Sequence, residues 1–246
     1  MMTSSLTLLD WDSGFFGRSV GNLYLSSLSQ LEEELDRASR TGFDLIYVYL
    51  KEEIDIDRIG NFILIDVGGQ INFVKSLVGL NDLDCHDNGI VEYRHAAPSS
   101  DIIELAYLSG QLSRFCVDPW LPPGSFKDLY KTWITKIVDQ IPLTAIYVCY
   151  QDGSAIGMIT SQCIGDVCSI GLLAVHSSFQ GRGIGSRLIK QVESQCLKQG
   201  VASLEVQTQL SNLSAQHLYL KNNFVESRRT FLYHAHTLTP SENCHE

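Results

Sequence analysis

The stretch His176-Ser177-Ser178-Phe179-Gln180-Gly181-Arg182-Gly183-Ile184-Gly185-Ser186-Arg187-Leu188 has the residue types of a phosphate seat. Glycines such as Gly181, Gly183 and Gly185 let a backbone turn sharply and approach a ligand closely. The apolar run Gly171-Leu172-Leu173-Ala174-Val175 ahead of them predicts a buried strand. Behind them Ile184, Leu188, Val192 and Cys196 recur every four residues, which predicts a helix. A helix N-terminus presents unpaired N–H groups and the positive end of its dipole. Strand, loop and helix together would seat a diphosphate. No Lys follows the last glycine, so a Walker loop does not fit. The spacing Gly-x-Gly-x-Gly also departs from the dinucleotide fingerprint. A plain glycine-rich turn is the competing reading, and the strand-then-helix context weighs against it.

Other side chains could join this chemistry. Arg182 and Arg187 could meet phosphates or be surface charges. Ser186 could cap the helix or touch a phosphate, and Gln180 could be a solvated loop residue. Asn212 and Tyr219 stand seven positions apart in a predicted helix, about two turns, and so share a face. His217 falls off that face, and His176 is an ordinary loop histidine. Arg114 lies in a proline-broken loop, Ser113 to Pro123, and could meet a second substrate or sit in a surface ion pair. His234-x-His236 would put two imidazoles on one strand face; without a second ligand pair it reads as a polar strand end, and no metal is expected.

The elements that must position these residues follow from periodicity. An N-terminal unit, residues 1–89, begins with aromatics among turn residues, Leu9 to Val20, read as a packed loop. Leu28, Leu31, Leu35 and Ala38 predict a helix to Arg40. Asp44 to Leu50 and Asn61 to Gly68 predict strands, the second ending at Gly68-Gly69, with Ile71 to Val74 extended beyond it. Ile54 to Gly60 is read as a short helix. Gly79 to Gly89 is a polar linker. A second unit, residues 90–246, reads strand (90–96), helix (from Ser99 to Leu108), helix (from Ser125), three strands (145–150, 156–164, 167–175), glycine loop and helix to Gly200, strand (203–208), helix (212–222) and strand (224–233). The expected class is α/β (α+β): a mixed central sheet preceded by a smaller α/β domain.

Composition bounds the rest. The chain of 246 residues is 44% hydrophobic and 19% charged, ordinary for a globular protein. Its net charge of −10 speaks against a surface that tracks nucleic acid. No apolar run has the length of a membrane span, and Met1 to Leu6 has no secretory pattern. Seven cysteines at scattered spacings read as reduced thiols of a cytoplasmic protein. Cys163 and Cys168 flank a turn at Gly165-Asp166, where a zinc or disulfide role is the lesser reading.

Gln180-x-x-Gly183-x-Gly185 resembles the Gln/Arg-x-x-Gly-x-Gly/Ala loop of the GCN5-related N-acetyltransferases. The element order across about 90–236 and the Asn212/Tyr219 pair resemble that family too. The resemblance implies that acetyl-coenzyme A, as co-substrate, meets Leu173, Ala174, Val175, Gln180, Gly181, Arg182, Gly183, Ile184, Gly185, Ser186, Asn212 and Leu218. The strand's outward N–H groups would polarise the thioester, and Tyr219 would return a proton to the leaving thiolate; a buried core tyrosine is the alternative. Within the family, Trp11-Asp12-x-x-Phe15-Phe16-Gly17, Ser113-Arg114-Phe115, Pro119-Trp120, Tyr130-x-x-Trp133-Ile134, Val206-x-Thr208-Gln209, Val225-Glu226-Ser227 and Leu232-Tyr233 are similar to enzymes that acetylate nucleotide-linked amino sugars. The stretch ahead of the glycines, His176 to Gln180, is longer here than in those enzymes.

That likeness implies an acceptor bound between the two units by Arg114, Phe15 and Trp133. It also implies that Asp66, two residues after Phe62-Ile63-Leu64, helps deprotonate the acceptor amine; a turn-capping Asp66 is the alternative. Since carboxylates ordinarily titrate near ~4, that role needs a water relay or a raised pKa. Acetylation of a peptide amine or polyamine, and a non-catalytic acyl-coenzyme A sensor, stay open, as does a homodimer.

Overall fold

A computed structural model of the chain describes residues 5–25, 27–80, 89–140 and 144–238. Most of the expected linker, together with Cys85 and Cys244, lies outside these residues.

One mixed sheet runs through the molecule. Its strands are β1 (Ser5–Leu8), β2 (Val20–Tyr24), β3 (Leu45–Leu50), β4 (Arg58–Ile59), β5 (Phe62–Ser76), β6 (Ile90–Glu92), β7 (Thr144–Gln151), β8 (Ser154–Ile164), β9 (Val167–Val175), β10 (Ser203–Gln209) and β11 (Val225–Thr237). The spatial order is β1-β2-β3-β11-β5-β10-β9-β8-β7-β6, with β4 on β5. β5, from the N-terminal part, lies between β10 and β11 and pairs antiparallel with both. An α/β class with a mixed central sheet is therefore what the chain adopts.

Helices cover both faces. α2 (Leu31–Arg40), α6 (Ile184–Lys198) and α7 (Leu213–Lys221) lie on one face; α1 (Asp10–Phe16), α3 (Ser100–Ser109), α4 (Arg114–Val117) and α5 (Ser125–Asp139) lie on the other. On the first face Leu188, Val192 and Cys196 of α6 meet Leu204 and Val206 of β10 and Ile71 and Phe73 of β5. Lys75 of β5 pairs with Glu193 of α6, both largely buried, so the N-terminal strand is tied to the helix behind the glycine loop.

Four local expectations need correction. Residues 10–16 form α1 rather than a loop: Asp10 and Asp12 complement its dipole, and Gly17 ends it at φ +65° with its N–H on the Ser13 carbonyl. Residues 54–60 are not helical; the alternation Ile54-Asp55-Ile56-Asp57 suits an extended chain that reaches β5 through β4. β5 does not stop at Gly68-Gly69. A bulge there, with Gly68 at φ +86°, lets one strand continue to Ser76. The strand expected over 90–96 ends at Glu92.

Candidate active site

β9 and β10 run parallel, and their ladder joins Ser203↔Val167 through Val206↔Ile170 and then stops. Beyond it β9 continues to Val175 on β8, and β10 continues to Gln209 on β5. A gap opens between them. Its cause is visible in β9, where Gly171 and Leu172 together oppose Thr160 in a bulge. The Leu172 N–H donates to Thr160 Oγ1 at 2.7 Å, and a Cβ on residue 171 would come within 2.8 Å of the same oxygen. Bulges bend a strand away from its previous course. Leu172 N–H and His176 N–H both point toward β8. By strand alternation the N–H groups of Leu173 and Val175 point into the gap.

The glycine loop ends this strand. Gly181 and Gly183 have φ of +75° and +77°, a conformation strained for any other residue. Gly183 is the N-cap of α6 and supplies no side-chain cap, so the first-turn N–H groups are left for an anion. Gln180 Nε2 donates to the Val175 carbonyl at 3.0 Å and folds the loop back on the strand. Arg182 donates to the Ser178 carbonyl at 3.2 Å and lies 5.0 Å from the Phe179 ring centroid. Ile184 is a core residue that offers only its backbone. A Cβ at Gly185 would sit 3.0 Å from Leu218, so this glycine and Leu218 bring α6 and α7 together. Ser186 Oγ accepts from Asn222 Nδ2 at 3.0 Å. These residues fit the diphosphate and pantetheine of coenzyme A: uncapped helical N–H groups and strained glycines for one, a strand gap for the other.

Asn212 caps α7 by accepting from Ala215 N–H at 3.1 Å. Tyr219 is buried against Phe73 and Phe224, and its hydroxyl has no hydrogen-bond partner among the described residues. Burial raises its pKa well above the usual value for a phenol, so the proton is held through neutral pH.

Arg114, Phe15 and Trp133 come together on the opposite face. Phe115 meets Trp133 edge-on at 5.6 Å and Phe16 at 6.3 Å, and Phe16 contacts Phe15. Arg114 opens the short helix α4 rather than standing in a loop. Its guanidinium lies 4.2 Å from the Tyr47 ring centroid and donates to Tyr49 Oη at 2.6 Å. No ion pair holds it among the described residues. Asp66 is not part of this cluster. It lies on the face of α2, accepts from Gly68 N–H at 2.8 Å, and lines a 510 Å³ groove with Glu53, Asp55, Asp57 and Tyr233.

The histidine pair differs most from expectation. His234 and His236 are buried, not a polar strand end, because Asp118 meets them from the segment after α4. Its Oδ2 lies 2.6 Å from His234 Nδ1 and 2.8 Å from His236 Nε2, and its Oδ1 accepts from Trp120 N–H. Burial would raise the Asp118 pKa, but the ring N–H donors of His234 and His236 outweigh it and hold the carboxylate well below its usual range. Burial, ahead of the opposing pull of Asp118, lowers the His234 pKa to about 4. The His234 ring is therefore neutral at pH 7, and the two rings together with Asp118 fix α4, and with it Arg114, onto β11. The spacing His-x-His was readable; the partner 116 positions earlier was not. Cys163 and Cys168 face each other across the β8–β9 hairpin, and Cys196 joins them from α6; all three are free thiols.

A splayed parallel strand pair, a glycine loop and an uncapped helix together suit a ligand with a diphosphate and an extended arm, and comparison with known proteins points the same way. Residues 111–224 match the model of the acetyltransferase (GNAT) family. The matched segment is just under half of the chain and is similar to that family. Residues of the chain are 28% identical over 133 positions to the spore coat polysaccharide biosynthesis protein SpsD of Bacillus subtilis (strain 168), covering 54% of this chain and 46% of SpsD. The match therefore spans about half the length of that relative. Among solved structures, a functionally unknown conserved protein of Staphylococcus epidermidis ATCC 12228 superposes with TM-score 0.65 at 14% identity, over 96% of this chain and 91% of that one. A GCN5-related N-acetyltransferase of Sphaerobacter thermophilus gives 0.57 at 16% identity, over 94% and 76%. These likenesses establish the fold.

Proposed function

We propose that the chain transfers the acetyl group of acetyl-coenzyme A to the amine of a nucleotide-linked amino-deoxysugar, in the cytoplasm. The observation that carries the transfer chemistry is the β9–β10 ladder, which stops at Val206↔Ile170 directly ahead of an uncapped α6. The first-turn N–H groups from Gly183 onward bind the diphosphate, and the pantetheine arm enters the gap. Leu173 and Val175 N–H hold the thioester oxygen, where negative charge grows as the amine attacks. The carbon–nitrogen bond forms, the carbon–sulfur bond breaks, Tyr219 passes its proton to the sulfur, and the second proton of the nitrogen, lost as the amide forms, returns to Tyr219 through water. The ammonium must first lose a proton. Asp66, at the bulge where β5 passes the end of β10, takes it through water. Residues 1–89 serve as the acceptor-side unit.

The sugar assignment is supported by the motifs around Trp11, Arg114 and Trp133 and by the polysaccharide-biosynthesis name of SpsD. A dTDP-linked 4-amino-4,6-dideoxygalactose is the first acceptor to try. Thiol release from acetyl-coenzyme A, measured across a panel of nucleotide-linked amino sugars, peptide amines and polyamines, tests the assignment. Turnover confined to the sugars is the expected result, and turnover only with peptides or polyamines would overturn it.

A further inference from the structure

Among the described residues, no helix covers part of β5, β10 and β11 on the face that carries α4, beside the gap, where Gln207 and Arg228 are exposed. Side chains there form a strip. On β10 and β5, Gln207 Nε2 donates to Gln70 Oε1 at 2.9 Å and to Asn72 Oδ1 at 3.3 Å, a patch of amides where the ladder with β9 has just ended. One strand further on, Arg228 of β11 stands opposite Asn72, exposed and without an ion pair among the described residues. Beyond it Tyr49 of β3 and Tyr24 of β2 pair in register and stack, with ring centroids 4.4 Å apart and planes 11° apart. Tyr24 is 44% exposed. Arg114 reaches the same place through Tyr49 Oη, and both arginines act electrostatically on the Tyr24 hydroxyl.

Two guanidinium groups without carboxylate partners stand out in a chain of net charge −10. Arg114 is moreover half-buried on aromatic faces, where an unpaired cation is costly unless an anion arrives. An exposed aromatic plane beside them accepts a flat ring by stacking. Carboxamides suit sugar hydroxyls, which both donate and accept. From β10 to β2 is four strand spacings, about 19 Å, room for a sugar, a diphosphate, a ribose and a base laid end to end.

We propose that this strip seats the nucleoside diphosphate of the acceptor. Arg114 and Arg228 hold the diphosphate, the exposed part of the Tyr24 ring takes the base, and Gln70, Asn72 and Gln207 lead the sugar to the gap. The proposal rests on the acceptor class named above and adds where its handle binds.

Calorimetric titration of the full chain with dTDP and with UDP, neither carrying a sugar, tests the seat. One or both should bind. Arg228→Ala should weaken that binding about tenfold or more, and Tyr24→Ala about tenfold. Acetyl-coenzyme A affinity should be unchanged in both variants, which also reports that they are folded. Absence of binding by both nucleotides, or affinities that neither substitution moves, would overturn the proposal. Thiol release separates it from the acceptor assignment. Nucleotide binding that responds to the variants, with no nucleotide-linked amine acetylated, keeps the seat and removes the acceptor class. Acetylation that neither variant affects keeps the acceptor class and removes the seat.

Discussion

On the donor side of the gap, the groups proposed to hold acetyl-coenzyme A are backbone N–H groups between Leu173 and Ser186, close together in sequence. On the acceptor side the groups are side chains: Tyr24, Arg114 and Arg228, from β2, α4 and β11. The donor side works through chain conformation, set by Gly181 and Gly183 at positive φ and by the Gly171–Leu172 bulge. The acceptor side works through charge and stacking on a sheet face assembled from both ends of the chain. One scaffold can thus keep its donor and change its acceptor, since substituting a surface side chain leaves the glycine conformations untouched. Substitutions on the two sides should therefore separate: donor changes should alter acetyl-coenzyme A affinity or thiol departure for every acceptor, and acceptor changes should alter only which amine is used.

The largest effect is expected at Tyr219, the proposed general acid. Tyr219→Phe keeps the ring packed on Phe73 and Phe224 and deletes the hydroxyl. Loss of a general acid costs about a hundredfold to ten-thousandfold in rate. Steady-state kinetics should show kcat down by that range with acetyl-coenzyme A affinity preserved. A folded variant with wild-type turnover would remove Tyr219 from the mechanism and leave it a core residue.

Gly183→Asp comes next. It puts a side chain at φ +77° and a carboxylate where the diphosphate would lie. Strain and repulsion together should weaken acetyl-coenzyme A binding about a hundredfold, whereas nucleotide binding on the strip should be untouched. Calorimetry with both ligands checks the comparison directly, and equal weakening of both would mean that the two sides do not separate.

Asp118 and the two histidines tie together two elements of the acceptor side, α4 and β11. His234 has a folded pKa of about 4 against an unfolded value of about 6.5. Between those values the unfolded chain binds more protons, so stability falls as pH falls, by up to about 3 kcal/mol. Asp118, depressed as well, extends the loss to lower pH. Thermal melts should show the melting temperature dropping from pH 6.5 toward pH 4. His234→Gln should flatten that slope, and an unchanged slope would place the titrating group elsewhere. Asp118→Asn should cost about 1–3 kcal/mol at pH 7, because a charged acceptor of two ring N–H groups is lost.

This contrast also explains what the sequence could tell. The donor side is local: the β9 strand, the glycine spacing and the four-residue period of α6 lie within one stretch, and local pattern predicts them. The bulge that opens the gap was less visible, since Thr160 holds it from the neighbouring strand. The insertion of β5 between β10 and β11 leaves no local mark at all, because pairing across more than a hundred residues depends on which strands meet. For the same reason Arg114 could be picked out by its neighbours, whereas Asp118 with His234 and the Tyr24–Tyr49 stack could not. Residues 54–60 are extended rather than helical because Ile54-Asp55-Ile56-Asp57 alternates with the period of a strand.

The smallest effect is expected at Asp66. Its carboxylate accepts from Gly68 N–H at the β5 bulge, which is a structural task in itself. It also lies on the opposite face from Arg114, so any contact with the acceptor amine passes through the gap and through water. A relayed base contributes less than one in direct contact, and about tenfold in kcat is the size proposed here, below the usual range for general-base loss. Asp66→Asn keeps the oxygen that caps the bulge and removes the charge. The melting temperature and acetyl-coenzyme A affinity should hold while acceptor turnover falls. Full activity with an unchanged pH–rate profile would assign Asp66 to the bulge alone. A lower melting temperature with turnover intact would say the same, and the proton would then have to leave toward the Arg114 face of the sheet.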